Sequence, residues 1–237
     1  MKLDILVLSA HPDDAELGCG GTISLAITQG KKVGIIDLTQ GELGTRGSVE
    51  IRTQEAEKSS EILGLSVREN MKFRDAFFKN DQEHRLALIK KIRKFRPDIV
   101  LAAAPSDRHP DHPRASQLIV ESCFFSGLAR IETECKHSTQ TAWRPQAVYH
   151  YIQSIFLTPD FVVDVTDHWD KKMESIQAYQ SQFFSDGDGP ETYISNPRFM
   201  KMVEARGIEL GHSIGVDYGE GFLTDRNLGV KSLFDLL

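Results

Sequence analysis

The chain has 237 residues, 40% of them hydrophobic and 26% charged, with a formal net charge of −6. That length suits one large α/β domain with a full core. The acidic balance argues against nucleic acid as the main partner, and no apolar run approaches the roughly 20 residues that a membrane helix needs. Residues 4–10, "DILVLSA", form a near-continuous apolar run, the mark of a parallel strand covered on both faces. Residues 15–30 read as a helix ending at Gly30, and 32–39, "KVGIIDLT", as a second strand. An amphipathic helix is expected over 49–65, with Ile51, Ala56, Ile62 and Leu63 inward. A short strand at "SVRENMKF", a helix over 81–97 stopped by Pro97, a buried strand over 98–105 and a helix over 111–128 follow. Repeated βα units of this kind imply right-handed crossovers and a Rossmann-like open sheet, mostly parallel, with helices on both faces.

The last third is less regular. "PQAVYHYIQS" and "DFVVDVT" read as strands, "DHWDKKMESIQAYQSQF" and "NPRFMKMVEARGIELG" as helices, and "DGDGPET" (186–192) as a loop. No repeat, low-complexity tract or linker divides the chain, so residues 1–237 are expected to form one domain. Cys19, Cys123 and Cys135 are widely spaced and make no CxxC pattern, which fits a reduced, cytoplasmic setting. The N-terminal apolar stretch runs directly into "HPDD", so it reads as a strand and not as a signal peptide.

In an open α/β sheet, ligands bind beyond the carboxyl ends of the strands. The first strand delivers His11-Pro12-Asp13-Asp14 there, the second "TQGELGTRG" (39–47), and the strand over 98–105 "SDRHPDHP" (106–113). Crowded carboxylates at a strand end cost stability unless something offsets their repulsion and desolvation. Taken singly, each motif is also what a proline turn and an Asp helix cap look like. Two such segments at the same sheet edge point instead to a divalent metal held by two histidines and one carboxylate, with a position left for water. The remaining carboxylates and histidines suit proton transfer and charge stabilisation. The residues alone do not say which His or which Asp plays which part.

"AHPDDAELGCGGT" together with "HPDHPRAS" resembles the PIG-L/LmbE family of zinc-dependent N-acetylglucosamine deacetylases. "TQGELGTRGSVEIRTQEA", "YQSQF" and "GVDYGEGF" add to the likeness, which extends over essentially the whole chain. The family pattern runs AHPDDE. The alanine in "AHPDDAE" is similar to the bacillithiol-biosynthesis branch, whose members deacetylate N-acetylglucosaminyl-malate. The resemblance implies His11, Asp14 and His112 as metal ligands, Asp13 as general base and His109 as a second catalytic group. It also implies Arg52 as a sugar contact and Tyr193 as a tyrosine near the site. Asp111 is expected to orient one of the histidines from outside the ligand set. The metal is expected to be Zn(II), with Fe(II), Co(II) or Mn(II) compatible with such a site. A small-molecule sugar substrate and a homo-oligomer, as a hexamer, complete what the resemblance implies, and the lack of an apolar span adds the expectation of no membrane partner.

A malate-bearing substrate needs local positive charge, and a guanidinium matches a carboxylate with two parallel hydrogen bonds. Arg46 and Arg108 flank the metal motifs and are the candidates, with surface pairing to Glu42 and Asp107 as the alternative. Chitin oligosaccharides, mycothiol-type precursors and lipid-linked glucosamine are other substrates of the family. A non-catalytic binding protein would have no need of Asp13 and His109 beside a ligand set. Gly18, Gly20 and Gly21 do not give a dinucleotide fingerprint at a strand end and are expected to serve close helix packing. Cys19 is expected to be a small core residue, His84, His137, His150 and His168 to have surface or structural roles, and His212 to sit at a helix C-terminus. Lys90, Lys91, Arg93, Lys94 and Arg96 are expected to lie on a solvated helix face.

Overall fold

The computed structural model describes residues 1–135, 137–183 and 190–236. Five parallel strands form most of one seven-stranded sheet: β1 (Ile5–Ser9), β2 (Val33–Thr39), β3 (Val67–Phe73), β4 (Ile99–Ala102) and β7 (Ala147–Tyr151). A two-stranded hairpin of β5 (Glu134–Cys135) and β6 (Ser138–Thr139) precedes β7. The large sheet is completed by β9 (Gly219–Thr224), antiparallel to β7, and by the edge strand β8 (Phe161–Asp164), antiparallel to β9 and so running in the direction of the other five. Its order is β3-β2-β1-β4-β7-β9-β8. The chain therefore steps one way from β1 to β3 and then restarts on the other side of β1 with β4. This is the switch point at which α/β sheets hold their ligands.

The apolar runs explain the middle of the sheet. Leu6, Val7 and Leu8 of β1 and Val33, Ile35 and Ile36 of β2 are wholly buried, because helices cover both faces. Those helices are α1 (Asp14–Thr28), α2 (Val49–Leu63), α3 (Gln82–Phe95) and α4 (Asp111–Phe125). Ser48 and Asp81 cap α2 and α3 by accepting from the N–H groups of Ile51 and His84. Among the described residues, no helix is long and apolar enough to cross a membrane.

α1 is not continuous. Cys19, wholly buried in the core, leaves helical geometry at φ −149°, and the Glu220 carboxylate of β9 accepts from the N–H groups of Gly21 (2.9 Å) and Thr22 (2.7 Å), capping the second half. Lys172 Nζ meets the same carboxylate at 2.6 Å, with both side chains almost wholly buried. Glycine is required on this helix for packing. A Cβ on Gly18 would lie 2.2 Å from Tyr151 Cδ2, and one on Gly21 2.7 Å from Val165 Cβ.

Some expectations need correction, and one strand was missed. Ile51, expected inward on α2, is 45% exposed. The helix expected over 167–183 is two, α5 (Trp169–Gln177) and the short α6 (Gln180–Phe183). At the break Tyr179 turns inward, and its hydroxyl donates to Glu16 Oε1 at 3.0 Å. "GVDYGEGF" contains a strand, β9, that apolar alternation does not announce. Arg93 is not on a solvated face. It is 4% exposed and donates to the carbonyls of Ser126, Leu128 and Ile131, tying the end of α4 to the loop beyond it. The last long helix is α7 (Pro197–Ser213), with exposed His212 in its final turn. Of the loop expected over 186–192, residues 186–189 lie outside the described residues.

Candidate metal centre and active site

The end of β1 turns sharply to deliver its polar residues. Asp13 adopts φ 108°, a left-handed conformation that costs a non-glycine residue on the order of 1–3 kcal/mol. Arg52, on α2, holds it there: Nη2 donates to the Pro12 carbonyl at 2.5 Å and to Asp13 Oδ2 at 3.1 Å, while Nη1 reaches the Gly41 carbonyl at 3.4 Å. The turn points the two adjacent aspartates at different partners. Asp14 Oδ2 lies 3.3 Å from His11 Nδ1, and Asp14 Oδ1 lies 3.2 Å from His112 Nε2, which the first turn of α4 supplies. Asp13 has Arg52 instead.

The far nitrogen of each imidazole is anchored to carboxylates. His11 Nε2 donates to Asp75 Oδ1 at 2.9 Å and faces Asp111 Oδ2 at 3.4 Å, and His112 Nδ1 donates to Asp107 Oδ2 at 2.7 Å. In the neutral rings that a cation requires, these bonds leave the lone pairs of His11 Nδ1 and His112 Nε2 on the side of Asp14, where protons stand when no cation does. Two lone pairs and a carboxylate converging on one point suit a divalent cation, and carboxylates behind the histidines are the usual support for such ligands. His109, half-buried, completes the cluster. One ring nitrogen from each of His11, His109 and His112 can be chosen so that all lie within 4.8 Å of one another.

His11, Asp75 and Asp111 are also close enough to form a ligand group. Their oxygens are already engaged: Leu43 N–H donates to Asp75 Oδ2, Ala76 N–H to Asp111 Oδ2, and Arg114 to Asp111 Oδ1. That set supports His11 and is not a second metal site.

The electrostatics follow from burial and pairing. Burial lowers the pKa of His11, but hydrogen bonds to Asp111, Asp14 and Asp75 outweigh it and hold the ring well above its ordinary value. His112 is raised to about 9, burial being overcome by the Asp14 charge and the bond to Asp107. Burial opposes the charge on Asp14, yet the two histidines hold it well below the usual carboxylate range. Asp13 is pushed up to about 7, chiefly by burial and against the pull of Arg52. Burial and its two histidine neighbours push His109 down.

These groups line one cavity of about 330 Å³. Its mouth carries Arg46, Arg108 and Tyr193. The Arg108 guanidinium lies 4.2 Å from the centre of the Tyr193 ring. Arg46 Nε donates to the Ser181 carbonyl at 3.0 Å and Nη1 to the Pro190 carbonyl at 3.4 Å, so it ties two rim segments together. The carboxylates expected as their surface partners serve elsewhere: Glu42 accepts from Asp75 N–H, and Asp107 supports His112. Arg52 lines the cavity from behind Asp13. Among the histidines without a motif, His84 bonds its cap Asp81, His168 bonds Ser24, and His150 bonds Ser116 and the Ala103 carbonyl.

Sequence reasoning missed Asp75, which belongs to no motif, and Gln153, whose Nε2 donates to Asp14 Oδ1 at 2.8 Å. It named Asp107 only as a partner for Arg108, although that residue lies within "SDRHPDH" beside His109 and His112.

Residues 6–123 match the family model described as PIG-L: GlcNAc-PI de-N-acetylase. The diacetylchitobiose deacetylase of Thermococcus kodakarensis is 32% identical over 77% of this chain and 71% of its own length. The chain belongs to the PIG-L family. It is an enzyme of that family, whose relatives include amide hydrolases. A probable N-acetyl-alpha-D-glucosaminyl L-malate deacetylase 2 of Bacillus anthracis is 29% identical over 76% of this chain and 81% of its own. One relative of similar distance is named for a different reaction: the 4-oxalmesaconate hydratase of Pseudomonas putida is 29% identical over 75% of this chain and 73% of its own. Among solved structures, the conserved protein TT1542 of Thermus thermophilus superposes with a TM-score of 0.86 at 36% identity, covering 97% of this chain and 98% of that one.

Proposed function

We propose that this PIG-L enzyme removes the acetyl group from an N-acetylglucosamine conjugate, and that the conjugate is N-acetylglucosaminyl-malate. The observation that carries the reading is the division of labour between adjacent carboxylates: Asp14 bonds both histidines, whereas Asp13 lines the same cavity and bonds Arg52. His11, Asp14 and His112 would hold a divalent cation, proposed as Zn(II), and Fe(II) suits the same donors. A cation there supplies Lewis-acid polarisation of the amide carbonyl and a more acidic water. Asp13 takes a proton from the attacking water. His109 steadies the developing oxyanion, and the proton that Asp13 took passes on to the departing nitrogen, since an amide anion leaves poorly. Arg52 keeps Asp13 aimed at the cavity and out of the ligand set.

The malate assignment is supported by the "AHPDDAE" variant, by the Bacillus anthracis relative and by Arg108 at the mouth, where a guanidinium can meet an aglycone carboxylate. Tyr193, against which Arg108 packs, contacts the sugar in this reading. A cytoplasmic, single-domain enzyme assembled as a hexamer belongs to the same proposal. Exposed Leu233 and Phe234 near the C-terminus, each 80% exposed, support self-association, and light scattering at micromolar concentration tests it.

The deciding assay measures amine release from N-acetylglucosaminides with and without the malate aglycone. The malate conjugate is expected to have the higher kcat/KM by at least about tenfold, and Arg108→Ala to shrink that ratio. No preference for malate would move the enzyme to another sugar conjugate. Absence of amine release from every amide, with water added across an activated double bond, would assign it to the hydratase reaction of its relative.

A further inference from the structure

β7 is parallel to β4, and β4 to β1, so all three strands end at the same edge of the sheet. Just beyond β7, Gln153, Ser154 and Ile155 lie outside any helix or strand and include no histidine or carboxylate. They nevertheless reach two of the three candidate ligands. Gln153 Nε2 donates to Asp14 Oδ1 at 2.8 Å. The N–H groups of Ser154 and Ile155 donate to Asp107 Oδ2 and Oδ1, each at 3.3 Å, and Asp107 Oδ2 accepts from His112 Nδ1 at 2.7 Å. One short segment thus stands behind Asp14 through a side chain and behind His112 through its backbone. The segment is held in turn from α7: Arg206 donates from Nη1 to the Gln153 carbonyl and from Nη2 to the Ser154 carbonyl. Loop carbonyls have no ladder to join, so such a clamp decides where the loop sits.

The two ends of the Gln153 amide are unequal. Nε2 meets a carboxylate, which accepts only from a donor, while Oε1 is buried with no hydrogen-bond partner among the described residues. A buried acceptor left unpaired costs stability, so the amide gives the fold little. What it does is fix Asp14. Asp14 Oδ2 accepts from the His11 N–H at 2.8 Å, so with Gln153 on Oδ1 each carboxylate oxygen holds a donor and the chain itself sets the carboxylate plane. A ligand held in place by its neighbours loses less freedom when it takes up an ion. We propose that Gln153 is a positioning residue of the metal centre, acting through Asp14, and that Arg206 acts on the same centre by clamping the segment that carries Gln153. The inference rests on the metal reading of His11, Asp14 and His112 above and adds two residues that raise the affinity of that site.

The test uses the full chain, Gln153→Met, Arg206→Met, Arg206→Lys and the Gln153→Met/Arg206→Met double variant. Zn(II) affinity is read by competition with a chromophoric chelator, and the unfolding midpoint of each metal-free protein in urea. Gln153→Met keeps the length of the side chain and removes both polar ends. It is expected to bind Zn(II) about 10–100-fold more weakly, with no fall in midpoint, because the orphaned oxygen leaves with the lost bond. With Co(II) as the probe, its visible absorption, which reports ligand geometry, is expected to shift. Arg206→Met is expected to weaken Zn(II) binding by at least about tenfold and also to lower the midpoint, since two carbonyls lose their donors, and Arg206→Lys to restore part of both. The double variant is expected to lose less than the product of the two single losses, because both act through one segment. An unchanged Zn(II) affinity and Co(II) spectrum in Gln153→Met would overturn the proposal, as would a fall in its midpoint that matches the fall in affinity. Losses that multiply in the double variant would overturn the shared route from Arg206. An original chain that binds no Zn(II) at all would overturn the metal reading itself.

Discussion

The two walls of the cavity are built on different terms. The strand-end side comes from β1 and β4, where charged residues cluster in two short motifs and the ligand histidines have directional partners. The helical side comes from α5, α7 and β9, where apolar surface, Arg206 and one buried ion pair do the shaping. Chemistry on the first side depends on atoms held within tenths of an ångström, so it needs particular residue types at fixed spacing. Shape on the second side depends on volume, which many sequences can supply. Substitutions on the strand-end side should therefore remove function from a folded protein, and substitutions on the helical side should first remove stability.

The largest effect expected is on catalysis. Asp13→Ala should keep its metal and its fold while kcat falls by about 10²–10⁴-fold, the usual contribution of a general base, as read by amine release. Next is the buried pair. Glu220→Ala leaves the Lys172 ammonium unpaired and two α1 N–H groups uncapped, and should cost about 3–5 kcal/mol in urea unfolding. Replacing both members, Lys172→Met with Glu220→Gln, should recover much of that loss, and a double variant no more stable than the single one would contradict the pairing argument. Asp75→Asn should weaken metal binding by about 10–100-fold in competition with a chelator, with little change in unfolding midpoint. The smallest effect concerns Trp169, whose indole stacks on Tyr218 at 4.3 Å. Tyr218→Leu should cost about 0.5–1.5 kcal/mol beyond the lost apolar area and leave metal content alone.

The same contrast explains how much could be read from the sequence. Continuous apolar runs announced β1, β2 and β4 because strands covered on both faces need no alternation. The site was legible because "HPDD" and "HPDH" are dense in ligand types and both fall at the ends of such strands. Asp75 was not, since one aspartate in "FRDAF" acquires meaning only when β3 brings it beside His11. β9 escaped notice because two of its six residues are glycines. Gly219 is needed there: a Cβ would lie 2.6 Å from Val162 Cγ1 and 2.8 Å from Gly211 N, and a strand chosen for close approach loses the side chains that mark strands. The break at Tyr179 carries no glycine or proline, because a tertiary bond to Glu16 makes it.

The most direct test of the central claim, that adjacent aspartates divide metal binding from proton transfer, is the metal content of a matched pair of variants. Asp13→Asn and Asp14→Asn are to be purified identically and analysed by mass spectrometry of the elements, with circular dichroism confirming the fold of each. About one divalent ion per chain in Asp13→Asn and almost none in Asp14→Asn is the predicted result. A metal-free Asp13→Asn beside a fully loaded Asp14→Asn would contradict the account.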